Sequence, residues 1–168
     1  CTRARSFVVV IVFPVRTPGR EVGMRWLTEQ GVESPAQWLS LAAGAPLAAR
    51  DLATSEAGAR IAGWRQLLAA GGPDLAERIS VPGREHLEPL VELLQKWAFD
   101  QSAGNLGAPG RYGLRAGDRA DASVFEARQW LKFSRRLARA RADARHPVDP
   151  RLFLIELLAE MPGVRVKN

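Results

Sequence analysis

Two histidines, His86 and His146, one cysteine, Cys1, a run of glycines from Gly104 to Gly117 and a dense group of arginines after Gln129 and around it are where this sequence could do chemistry. An imidazole or thiol ligates a metal or moves a proton only when suitable partners converge on it. His86 and His146 lie far apart, and no carboxylate or thiol beside either has metal-ligand spacing. The sequence therefore places His86 on the surface of a first helical turn and His146 at a helix end before Pro147. Cys1 has no obvious partner base, and no Gly-x-Ser-x-Gly elbow is present. The glycine-rich loop lacks the Gly-Lys-Ser/Thr that brings an ammonium and a hydroxyl to phosphate and Mg²⁺, and no predicted strand precedes it, so it reads as a flexible linker. These residues offer no catalytic, cofactor-binding or metal site, and the chain reads as a non-enzyme.

The arginines differ, because charge here is a matter of position. Between Arg128 and Arg145 lie Arg128, Lys132, Arg135, Arg136, Arg139, Arg141 and Arg145 against Asp143 alone, so this stretch carries the whole net charge of +6 and the remainder is neutral. Arg128, Lys132, Arg135 and Arg139 step by four, three and four and share one helix face, while Trp130, Phe133, Leu137 and Ala140 lie roughly opposite. With Arg136 beside them, they are the candidate contacts to DNA or to another subunit. Such a stripe can track a phosphate backbone. It also fits a solvated outer face or a polar subunit contact, the commoner use of arginine-rich helix surfaces.

The elements that must position these residues read as helix after helix. Thr17-Pro18, Ser34-Pro35 and Asp149-Pro150 each set a side-chain oxygen before a proline, the pattern of an N-cap followed by N1. They predict helices from Pro18 to about Gln30, from Pro35 towards Gly44, and from Pro150 to Met161; another starts at Pro46. After Ser55, Ile61, Trp64, Leu67 and Leu68 form a helical stripe that Gly71-Gly72-Pro73 stops, and a short piece spans Asp74 to Ile79. In HLEPLVELLQKWAFD, Leu87, Leu90, Val91, Leu94, Trp97 and Ala98 share one face, with Pro89 required to lie in the first turn. The stretch from Ser102 to Gly117 reads as loop, and Ala122 to Ala144 as the basic helix. The five tryptophans fall in helical stripes and read as packing residues.

A chain of 168 residues that is 46% hydrophobic can bury a real core as one domain or two small ones. Its opening, SFVVVIVFPV, predicts one N-terminal extended strand. That run is too short to span a bilayer, stops at Pro14 and lacks a small-x-small cleavage site, so neither a secretory signal nor a membrane partner is expected. A single cysteine excludes an internal disulfide framework, which makes the cytoplasm the default location.

LSLAAGAPLAARDL, LLQKWAFDQ, the loop with Arg111-Tyr112 and LKFSRRLARARADARHPVDPRLFLIELL resemble, in order from Pro18 to Leu158, the C-terminal half of the delta-prime subunits of the bacterial DNA polymerase III clamp loader. His146 to Leu154 carries the most specific part of the likeness; Gly44-Ala45-Pro46 and Gln95-Lys96-Trp97 support it. The resemblance implies an all-α chain with a three-helix lid at 18–54 and a helical collar at 55–168 that joins gamma/tau and delta subunits into a ring. Residues 1–17 would then be an extended remnant of an ATPase-like domain lying before them. ATP-hydrolysing relatives carry an arginine three residues after the glycine aligned with Gly44; Leu47 stands there, which implies a non-hydrolysing member. The family's Ser-Arg-Cys motif would lie just before this segment, and its role is not carried onto Arg3 or Arg5. Two expectations follow: a non-catalytic assembly domain of a complex that loads the sliding clamp on primed DNA, or a DNA-binding module using the basic helix at 128–145.

Overall fold

The computed structural model describes residues 17–72, 74–81, 83–114 and 123–163. Among these there are eight α-helices and no strand. The predicted extended segment at the N-terminus lies outside the described residues.

The first three helices, α1 (Arg20–Glu29), α2 (Pro35–Leu41) and α3 (Pro46–Thr54), close on a small core of Leu27, Val32, Leu39 and Ala49. Gly23 permits the approach: a Cβ there would stand 3.2 Å from a Leu39 methyl and 3.3 Å from Pro46. The predicted caps act unevenly. Helix α1 begins at Arg20 after Gly19, without a side-chain cap from Thr17. Ser34 sits in the left-handed region at φ 53° and also accepts no capping bond, because its backbone is committed to the tight turn after Val32. Asp149 acts as expected, its Oδ1 accepting from the Leu152 N–H at 2.8 Å.

The larger core belongs to α4 (Glu56–Ala70), α5 (Leu75–Arg78), α6 (Leu87–Asn105), α7 (Val124–Asp143) and α8 (Pro150–Ala159). Leu41 and the half-buried Trp38 reach it from α2, and Trp38 also packs on the smaller core. The corner between α3 and α4 is very tight. Ser55 caps α4 by accepting from the Gly58 N–H at 3.1 Å, and the Leu52 carbonyl lies where a Cβ on residue 58 would be. Trp64, Trp97 and Trp130 are buried as expected, and the Trp64 indole N–H donates to the Ser80 carbonyl.

Helices α6 and α7 form the central antiparallel pair: Glu88, at the start of α6, accepts from Arg145 at 2.8 Å and Arg141 at 3.3 Å at the end of α7. Pro89 falls in the first turn of α6, as the sequence required. That helix, however, runs on to Asn105, so Ser102 and Gly104 are buried helical residues rather than loop. Burial continues past Ala98 through Asp100, Ser102, Gly104 and Asn105, and that packing overrides the poor helix propensity of Gly104.

Candidate nucleic-acid interface

Helix α7 is positioned by its apolar side. Ser123 caps it, its Oγ accepting from the Glu126 N–H at 3.2 Å, and Ala127, Trp130, Phe133, Leu137 and Ala140 are buried against the core. At about 100° per residue, burying that arc turns Arg128, Lys132, Arg135 and Arg139 directly outward.

The structure divides the basic cluster in two. Arg128, Lys132, Arg135 and Arg139 are exposed and have no carboxylate partner among the described residues. They span ~16 Å of helix. Arg136, grouped with them on sequence, turns to the side of α7 and is partly buried; its Nε donates to Glu160 Oε1 at 2.9 Å beyond α8, and Asp143 lies 3.8 Å away. Arg141 and Arg145 are tied to Glu88. The hydrogen bonds from Arg145 and then Arg141 hold the Glu88 carboxyl below the usual glutamate range, and Glu88 raises Arg145 in return. Three of the seven cations thus serve the fold and four are left facing outward.

Beside this face lies a feature that spacing did not indicate. Asp100 is fully buried, and its carboxylate accepts from the backbone N–H groups of Arg111 at 2.7 Å, Tyr112 at 3.1 Å and Leu114 at 2.8 Å. A buried carboxylate is tolerable only when so satisfied. The segment after α6 is therefore not a free linker over 106–114: it is fastened to the helix, and Gly110 is needed because a Cβ would stand 2.9 Å from the Asp100 carboxyl carbon. The signal available in the sequence was an aspartate three residues after Trp97 and seven after Leu93, at the edge of the apolar face of α6, followed by a glycine-rich stretch able to lend its amides.

The fastened loop sets Tyr112 edge-on to the exposed Phe99, with ring centroids 5.7 Å apart. Lys96 and Arg111 each lie 5.8 Å from the centre of the Tyr112 ring. A cleft of about 500 Å³ opens here, lined by Gln95, Lys96, Phe99, Tyr112, Ser134 and Arg141.

The histidines lie apart from this surface. His86 is half-buried in the 3-10 turn before α6, where Arg60 lies 3.1 Å from its Nδ1 and Glu85 lies 3.2 Å from its Nε2; His146 is exposed after α7. No group of three or more His, Cys, Asp or Glu among the described residues is placed to hold a metal ion, and no helix among them is long and apolar enough to cross a membrane. Comparison with protein-family models, curated proteins and solved structures finds no match to this chain.

Proposed function

We propose that this chain is a non-catalytic assembly domain of a delta-prime-like clamp-loader subunit, binding gamma/tau- and delta-type subunits through its second half. The observation that carries the reading is the state of the segment most specific to the resemblance, His146 to Leu154. Phe153 and Leu154 are buried in the core, while Leu152 is 62% exposed and Ile155 lies on the same outward side of α8. Val124, Phe125 and Leu131 are likewise exposed on α7. Large apolar side chains left on the surface of consecutive helices suit a subunit contact. Immobilised full chain should retain gamma/tau- and delta-type subunits without hydrolysing ATP, and Leu152→Asp should release them while the protein stays folded. Folded wild-type chain that retains neither subunit overturns the reading.

The four outward cations of α7 favour a second reading, in which this face holds a nucleic-acid backbone. Its attraction would be non-specific in sequence and strongly weakened by salt. The two readings use different residues, so Leu152→Asp and charge reversal on α7 separate them.

A further inference from the structure

We propose that the cleft between α6, α7 and the 106–114 loop takes an unpaired base of a single-stranded nucleic acid, stacked against Phe99 and Tyr112, while the outer cations of α7 hold its phosphates. The inference rests on the second reading above and names the form of nucleic acid that the face would select.

Phe99 is 49% exposed on a helix whose neighbouring positions are buried, and it is aligned rather than loose, because Tyr112 meets its ring at an interplanar angle of 77°. The three amide bonds to Asp100 fix the backbone that carries Tyr112. An aromatic pair held in place by its support loses little freedom when a planar ligand docks. Arg111 beside the Tyr112 ring supplies a cation within reach of an adjacent phosphate.

Cleft and stripe also adjoin. Ser134 and Arg141, which line the cleft, lie on the flank of α7, and turning the helix from that flank towards Arg135 and Arg139 passes Ala138 and Ala142, whose short side chains leave the way open. A duplex keeps its bases stacked inside, so only an unpaired strand can offer a base to the cleft while its backbone follows the arginines. An acidic polypeptide fits less well there. Glu92 already pairs with Lys96 at 2.9 Å and approaches Arg141 at 3.8 Å, which lowers the cleft's attraction for carboxylates and leaves its stacking surface unaffected.

The test is fluorescence anisotropy at low salt with labelled oligothymidylate and with a labelled duplex of equal length, using the full chain, Phe99→Ala, Tyr112→Ala and Tyr112→Phe. Single strand should bind more tightly than duplex. Each alanine variant should weaken it about tenfold, with duplex binding little changed and Tyr112→Phe near wild type. Thermal melting verifies that the variants are folded. Equal loss on both nucleic acids, or no loss on either, overturns the stacking site while leaving the phosphate-binding reading standing. Binding of neither nucleic acid by the folded wild type overturns both. Displacement of the oligonucleotide by polyglutamate as readily as by unlabelled oligothymidylate assigns the surface to an acidic protein and also overturns the proposal.

Discussion

The carboxylate of Asp100, in the last turns of α6, accepts from the N–H of Leu114 at 2.8 Å and from the N–H groups of Arg111 and Tyr112, and so fastens the far end of the loop to the helix. The charge itself is what makes the clamp work, since one carboxylate can accept from three amides at once.

Asp100→Asn should therefore destabilise the protein although it keeps shape and volume. The amide presents only one oxygen and turns an N–H₂ towards donors, so at least one buried N–H loses its partner, at a cost of ~2–3 kcal/mol. Urea unfolding checks the magnitude, and limited proteolysis near Arg111 checks the location. An Asn variant as stable as wild type would mean that the loop is held by something else.

Gly58→Ala should be among the most damaging exchanges of a glycine in this chain. The new methyl meets the Leu52 carbonyl, a backbone atom that cannot rotate aside, and the α3–α4 corner has to open. A loss of ~2–4 kcal/mol is expected, as for other overpacked sites. Gly63→Ala in the same helix meets nothing within 4 Å and should stabilise by ~0.5–1 kcal/mol through helix propensity alone. Thermal melts of the two variants should move in opposite directions.

Glu88 ties the start of α6 to the end of α7 and has its carboxyl held below the usual range. A carboxyl depressed in the folded state contributes stability that is present above its unfolded pKa and lost as pH falls through the folded one. Glu88→Gln should consequently melt below wild type at neutral pH, with the gap narrowing as pH drops through the acidic carboxylate range. Melting midpoints across that range measure it. A gap that stays constant down to the most acidic samples would show that the pair adds nothing through charge.

The division of the basic helix predicts different outcomes for adjacent residues. Arg135→Glu with Arg139→Glu should leave melting almost unchanged and reduce the salt dependence of nucleic-acid binding by about 0.7–0.9 per cation removed, before the added repulsion is counted. Arg136→Ala removes a half-exposed ion pair and should cost ~0.5 kcal/mol of stability with little effect on binding. Loss of binding in Arg136→Ala equal to that in the double reversal would contradict the division.

Much of the molecule was legible from local pattern. The apolar spacing of HLEPLVELLQKWAFD, the placement of Pro89, the Asp149 cap and the two faces of α7 follow from helical periodicity and the needs of helix ends, which act over a few residues and so are written in adjacent ones. The sequence by itself thus determined the helical character of the described residues and the outward face of α7 that carries Arg128, Lys132, Arg135 and Arg139. Where Arg136 finds Glu160, where Glu88 meets Arg145 and which amides fill Asp100 depend on partners 24, 57 and 11–14 residues away, which no local pattern brings together. Ser34 and Gly104 failed the local rules because turn geometry in one case and packing in the other outweighed preferences worth about 1 kcal/mol or less. Which cations are free, and that a rigid aromatic cleft stands beside them, was decided only by the tertiary structure, because both depend on which distant groups the core brings within hydrogen-bonding distance.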